Sequence, residues 1–239
     1  MREQGKGLAG GVADQLGREI AAGTHAPGAV LLTDALAERF AVSRTVVREA
    51  VQTLQAKRLL RSTPRVGLTV RPVTEWHLYD PDVIRWRLAG PGRVVLLDEL
   101  TELRAAVEPA AAAAAARRAG QDGRVRLLEV SALMRAAAAN GDRLTFVDAD
   151  VRFHALVLEL SGNPLFAQLG PVTGELLRGR AALRLLPAAP DPGDAARHDA
   201  VALAIACTDP DAAEAAMRLV VQESLDDIHM RLDRDPERS

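Results

Sequence analysis

One short stretch, LLRSTPRVGLTVRP at 59–72, is the part of the chain that reads as a β-hairpin. Leu59-Leu60-Arg61 and Leu68-Thr69-Val70 are strand-like, and the residues from Pro64 to Gly67 sit in the bend between them. From about Trp76 onward no strand pattern survives, and the apolar residues recur at helical spacing. A chain with one hairpin cannot build its core from sheets, so the fold class is mainly α. Helices are expected at roughly 80–89, 92–119, 123–139, 142–161, 163–186, 193–207 and 209–232, between breakers such as Gly90-Pro91-Gly92, Asn140-Gly141 and the PAAPDPGD loop at 187–194. Their short connections give an antiparallel all-α bundle. Pro109 falls inside the second of these helices and is expected to kink it.

Ahead of the hairpin the pattern is also helical. Leu8, Val12, Leu16 and Ile20 repeat down one face of a helix that Gly23 ends. After the turn Ala26-Pro27-Gly28 comes a short helix over Asp34–Phe40 with Leu36 and Phe40 inward. Ser43 then caps a longer helix running to about Lys57, whose apolar stripe is Val47, Ala50, Val51 and Leu54. Three helices followed by a hairpin, the second and third helix joined by a tight turn, make a winged helix-turn-helix. The expected organisation is therefore a winged helix-turn-helix DNA-binding domain over 1–72, a linker or connecting helix over 73–91, and an all-helical domain over 92–239.

Charge supports that division. The net charge is −2, yet residues 1–72 hold 11 Lys and Arg against 6 Asp and Glu, leaving an acidic remainder. A basic first third on an acidic body suits a nucleic-acid face on one domain. With a single cysteine, Cys207, no intrachain disulfide can form, and no segment is long and apolar enough to span a membrane. The expectation is a cytoplasmic protein with no membrane partner.

The capped helix carries the first specific chemistry. In AVSRTVVREAVQTL, Arg44 and Arg48 lie one turn apart near the N-terminus, opposite the buried stripe. Two guanidinium forks offered from the first turns of a helix suit guanine edges and phosphates. Ser43 and Thr45 add short donors for phosphate, and Arg65 with Gly67 at the hairpin tip make a wing able to lie along the minor groove. Taken alone, the two arginines also suit a solvated surface with Arg48 paired to an acid nearby.

These residues resemble a family. AVSRTVVREAVQTLQAKRLL followed by VGLTV is similar to the GntR-type winged-helix signature, and ELRAAVEPAAAAAA, DADVRFHALVLELSGNPLF, ARHDAVALAI and DPDAAEAAMR resemble, in order, the FCD (FadR-type) ligand-binding domain of the same regulators. WHLYDPDVIRWRLA at 76–89 is similar to the linker of members that respond to sugar acids such as galactonate. The resemblance covers nearly the whole chain. It departs at LLTDALA, 31–37, which is one residue shorter than the family pattern and lacks the arginine that touches phosphate there; Arg39 is close but faces another way. DNA contacts are therefore expected at Arg44, Arg48, Arg65 and Gly67, supported by Ser43 and Thr45, with Thr33 as a further candidate.

The resemblance also implies a polar centre in the bundle that holds a divalent metal on an Asp and up to three His. Asp150 and His154 stand one helical turn apart, and His198 faces inward if Val201 and Ile205 do. A carboxylate with imidazoles suits Zn²⁺, Ni²⁺ or Mn²⁺. The fourth family position falls on Val220, which leaves three protein ligands. Arg104 matches the family arginine that would hold an effector carboxylate in a bidentate fork. The residues alone admit blander readings, an Asp150–His154 ion pair and an Arg104–Glu108 or Arg104–Glu102 helix-surface pair.

Two functions follow. One is a transcriptional regulator, a homodimer on a palindromic operator, acting as a repressor released by a small carboxylate such as a sugar acid or hydroxy acid. The alternative is a metal-dependent hydrolase using the Asp150, His154 and His198 trio. That reading leaves the winged helix unused and lacks an evident general base or a HExxH signature. The regulator, and no enzyme, is the expectation.

Overall fold

The computed structural model describes the backbone of residues 2–183 and 189–233, and the side chains of 7–183 and 189–224. It divides into two compact units, one up to Arg93 and one from Val94 onward. The fold is mainly α, as the periodicity requires.

The first unit opens with α1 (Arg2–Ala21). Gly23, at φ +80°, turns the chain out of the helix and donates its N–H to Ile20. Strand β1 (Val30–Leu31) joins β2 (Leu60–Thr63) and β3 (Gly67–Val70) in an antiparallel sheet of order β1-β3-β2, with Leu31 opposite Leu68 and Arg61 opposite Thr69. The hairpin was legible; β1 was not, because two residues are too few to show alternation. Between β1 and the hairpin lie α2 (Thr33–Arg39) and α3 (Arg44–Ala56). Helix α2 starts one residue earlier than the spacing suggests, with Leu32 at its cap and no side chain to satisfy the free N–H groups. Ser43 caps α3 by accepting from the Val46 N–H at 3.3 Å, and all four residues of the expected stripe are buried.

A 3-10 turn (Val73–Glu75) leads to α4 (Pro81–Leu88), which Asp80 caps and Pro81 opens. Helix α4 packs on α1 through Trp86. The indole covers Gly17 so closely that a Cβ there would stand 2.6 Å from ring carbons, and its Nε1–H donates to Asp14 at 2.7 Å. Trp86 and Val83 thus join the core that Leu16, Val47, Leu54 and Leu59 build.

The second unit is an all-helical antiparallel bundle of α5 (Arg93–Arg118), α6 (Gln121–Asn140), α7 (Arg143–Leu160), α8 (Pro164–Ala167), α9 (Gly170–Ala182), α10 (Pro192–Ala206) and α11 (Pro210–Asp233). Helix α10 packs on α6 and α11, and α7 on α6 and α9. Helix α5 continues through Pro109, and Ala111–Ala116 are all buried. A helix apolar on every side belongs inside a bundle, and alanines let its neighbours approach closely. Asp142, Asn163 and Asp191 cap α7, α8 and α10 with their side chains, which fixes where those helices start.

One helix expected over 163–186 is two. Helix α8 stops at Ala167 and α9 restarts at Gly170, where Pro171 at the head of the new helix has no N–H to continue the old one. Residues 184–186 of that expectation lie outside the described residues. Among the described residues no helix is long and apolar enough to cross a membrane.

Candidate functional site

Helices α5, α7 and α10 bring the bundle's polar residues to one point. His154 is 1% exposed and His198 2%, and Phe153 lies edge-on beneath both rings at 5.8 and 5.1 Å. Asp150 Oδ1 lies 3.2 Å from the Nε2 of each histidine, and the two Nε2 atoms are 3.2 Å apart. Three ligand atoms on a triangle of that edge fit a face of a coordination shell. Bonds of about 2.1 Å give ligand–ligand edges of roughly 3.0 Å in an octahedron and 3.4 Å in a tetrahedron. Asp150 Oδ1 is buried yet accepts no hydrogen bond, despite those two neighbours. The donor set and this unsatisfied oxygen both fit a divalent cation.

The far edges of both rings are held by acceptors. His154 Nδ1 lies 2.8 Å from Glu108 Oε2, and His198 Nδ1–H donates to the Asp194 carbonyl at 2.8 Å, with the Asp194 carboxylate at 3.2 Å. With Nδ1–H held in this way, an Nε2 that gave up its proton would turn its lone pair toward Asp150, as a metal-ligating imidazole requires.

Glu108 is the hub of this arrangement. It accepts from Arg104 Nε at 2.8 Å and Nη2 at 3.2 Å, and from the Thr173 hydroxyl at 3.2 Å, besides His154. Arg104 and Glu108 are 3% and 2% exposed, so the pair is buried rather than a surface pair. One edge of the guanidinium is spent on Glu108. Nη2 also lies 3.1 Å from His154 Nε2, and Nη1 is buried without a partner. A fork to an effector therefore cannot use the Nε edge, and Nη1 is the donor left over.

Burial works against charge on these groups, and their neighbours overcome it. Glu108 is brought down to about 2 by the charges of and hydrogen bonds from Arg104 and His154. Asp150 is held well below the usual carboxylate range by the two histidines. His198 is pushed up to about 10 by the close approach of the Asp150 and Asp194 carboxylates.

The cluster forms the floor of a cavity of about 190 Å³. Val220, where a fourth ligand is absent, lines it together with Arg143, Arg180, Arg197 and Ser224. Arg143 donates to the Ala181 carbonyl at 2.8 Å, and Arg180 to the Ser224 hydroxyl. The sequence reading missed all of these but Val220, as it missed the part played by Glu108. Glu108 had left a signal, its spacing of four from Arg104; the arginines of the cavity wall had none.

In the first unit, Arg44, Thr45 and Arg48 are exposed on the first turns of α3. Arg48 makes no ion pair with a described residue, whereas Arg44 pairs with Asp34 of α2 at 2.8 Å. Arg39 is paired with Glu19 of α1 at 2.9 Å. Thr33 is half-buried in the first turn of α2. Arg65 is exposed at the hairpin tip with φ +62°, following Pro64 in a turn closed by Val66 N–H to the Thr63 carbonyl. That is a type II turn with arginine where glycine is favoured. Gly67 has a structural reason of its own: at φ +125°, a Cβ there would meet the Leu31 carbonyl at 3.1 Å.

Comparison with known proteins agrees with both units. Residues 8–70 match the model of the bacterial regulatory proteins of the gntR family, and residues 99–223 match the FCD domain. The galactonate operon transcriptional repressor of Escherichia coli K12 is 36% identical over 211 residues, covering 87% of this chain and 91% of the relative. An uncharacterised helix-turn-helix regulator of the same organism, YieP, is 32% identical over 160 residues, 66% of this chain and 70% of that one. In fold, the chain is similar to Lar of Listeria monocytogenes (TM-score 0.63, 17% identity, 93% of this chain and 97% of that) and to E. coli McbR/YncC (TM-score 0.54, 20% identity, 94% and 98%). The matched domains and relatives are regulators of transcription, and they give the hydrolase reading no support. The chain belongs to the GntR family of bacterial regulatory proteins, with an FCD domain behind its DNA-binding winged helix, and is a ligand-responsive transcriptional regulator.

Proposed function

We propose that this regulator is a cytoplasmic repressor that binds a palindromic operator as a homodimer and is released by a small carboxylate, a sugar acid or hydroxy acid. The observation that carries the effector class is Arg104 Nη1, a buried donor without a partner beside the carboxylate–histidine cluster in the cavity. A carboxylate is the acceptor such a donor lacks. The relative named for the galactonate operon favours an aldonic acid.

Asp150, His154 and His198 would hold one Zn²⁺, Ni²⁺ or Mn²⁺, which would supply a Lewis-acidic position for an effector hydroxyl or carboxylate. Glu108 and Asp194 orient the two imidazoles, and Arg104 neutralises the effector's charge. On the DNA side Arg44, Arg48, Thr45, Ser43 and Arg65 carry the contacts, with Thr33 on a phosphate. Gly67 serves by shaping the wing. Arg44 gives up or shares Asp34 on binding. Residues 1–72 and 92–239 would be the DNA-binding and the effector-binding units, and 73–91 the connection between them.

The test is selection of an operator from random DNA with the purified protein, followed by mobility shift with a panel of aldonic acids. Release by at least one of them, including galactonate, is expected. A selected operator that none of the panel releases would remove the effector assignment.

A further inference from the structure

The chain uses arginine for almost every cation, with 28 Arg among its 30 Lys and Arg, yet it places a lysine at the C-terminal end of α3. Lys57 is the C-cap residue of that helix and is mostly buried, its side chain 14% exposed. Its ammonium lies 2.8 Å from each of three carboxylate oxygens, Oδ1 and Oδ2 of Asp80 and Oδ2 of Asp82. Three donors meet three acceptors around a compact charge. A planar guanidinium at the same place could not reach all three, because its donors point in one plane and stand farther from the stem.

Both acids belong to the start of α4. Asp80 is its cap residue, and the same carboxylate also accepts from the Asp82 and Val83 N–H groups at 2.9 and 3.3 Å. The backbone joins in, since His77 N–H donates to the Lys57 carbonyl at 3.1 Å. At the other end of α4, Trp86 is seated on Gly17 and bonded to Asp14 of α1, and Arg85 reaches Asp82 and Asp14. Burial disfavours the Lys57 ammonium, but the two carboxylates raise its pKa above the ordinary value, so it stays charged. Lys57 and Asp80 are largely enclosed while Asp82 is 38% exposed, so the cluster is a modest source of net stability.

We infer that Lys57 is a positioning residue for DNA reading: through Asp80 and Asp82 it fixes the C-terminal end of α3 against α4, and so sets the angle at which Arg44 and Arg48 are presented. The inference rests on α3 being the DNA-reading helix. Lys57 itself need not touch DNA. It acts through the helix it terminates, with the core residues Val47, Val51 and Leu54 as the pivot. In the chain, α4 leads through Gly90-Pro91-Gly92 into α5, which carries Arg104 and Glu108, so the helix that Lys57 grips is also the one joined to the effector unit.

The test uses full-length protein, an operator selected from random DNA with the wild type, and a random-sequence duplex of the same length. Lys57→Arg keeps the charge and loses the three-way geometry; Lys57→Gln loses the charge; Asp82→Asn removes one acceptor. Circular dichroism identifies which variants are folded at the assay temperature. Each folded variant should lose operator affinity by about 3- to 10-fold while binding the random duplex within twofold of wild type, because phosphate contacts survive a small change of helix angle and base contacts do not. A lysine that only stabilises the fold would lower both affinities together or neither. An unchanged operator-to-random ratio in folded Lys57→Arg, with Arg48→Ala losing that ratio in the same assay, overturns the Lys57 proposal alone. If Arg48→Ala leaves the ratio unchanged as well, the reading of α3 as the DNA-reading helix falls, and the Lys57 proposal with it.

Discussion

His154 turns its Nδ1 to Glu108, 2.8 Å away on α5, and its Nε2 to Asp150, 3.2 Å away on its own helix. The ring is thus held from behind by a carboxylate that also binds Arg104, so the proposed metal ligands and the proposed effector cation share one support. An outer carboxylate of this kind typically accounts for 10- to 100-fold in metal affinity. Glu108→Gln is therefore expected to weaken Zn²⁺ or Ni²⁺ binding by about that factor, in competition with a chelator of known affinity. Unchanged affinity would mean that Glu108 serves Arg104 alone.

Arg104 calls for two variants. Arg104→Ala strands the Glu108 carboxylate in the bundle core and should destabilise the protein by ~3–5 kcal/mol in denaturant unfolding. Loss of effector binding in that variant would say little about Nη1. Arg104→Lys leaves a cation beside Glu108 and removes the spare donor. It should stay folded and bind the effective aldonic acid roughly 10- to 100-fold more weakly by calorimetry. Wild-type affinity in folded Arg104→Lys would take Nη1 out of the effector site.

Arg65 separates backbone from side chain at the wing. Its φ of +62° costs an L-residue about 1 kcal/mol that glycine does not incur. Arg65→Gly should be neutral or stabilising by up to that amount, while operator and random-duplex affinities fall together and the salt dependence of binding becomes shallower by about one phosphate contact. Equal DNA affinity in Arg65→Gly would leave the wing tip without a role in DNA binding.

The pH profile of chelator-treated protein carries two opposite signatures. Glu108 falls from an unfolded value of 4.5 to about 2, so its contribution is complete above 4.5 and disappears as pH drops through 2. His198 rises from 6.5 to about 10, so its contribution is complete below 6.5 and disappears as pH climbs through 10. An ion bound by the trio would take the place of the His198 proton, so saturating Zn²⁺ should flatten the alkaline limb and leave the acid limb in place. Melting temperatures across pH with and without Zn²⁺ check both limbs, and an alkaline limb unaffected by Zn²⁺ would argue against an ion at His198.

Much of this was legible because helical periodicity reports faces. The Ser43 cap, the Val47, Ala50, Val51, Leu54 stripe and the one-turn spacing of Asp150 and His154 each survive into the structure. What spacing cannot report is depth. Arg104 and Glu108 have the same four-residue offset as any surface pair, and only the packing of α7 and α9 around α5 makes theirs a buried one. Gly17 owes its place in α1 to Trp86, far along the chain, which rests on it, and local spacing carries no sign of that contact. Strand β1 exists because Gly67 lets it approach β3 closely, a long-range cause that two residues of local sequence cannot show.

The triangle formed by Asp150, His154 and His198 is the centre of the proposed regulatory site. Its test is elemental analysis of the protein after dialysis against Zn²⁺ or Ni²⁺ and removal of free ion. About one ion per chain is expected in wild type, with loss of that ion in folded His154→Ala and Asp150→Asn. No bound ion in the wild type, at metal concentrations well above micromolar, would contradict it and make the trio a buried ion-pair cluster.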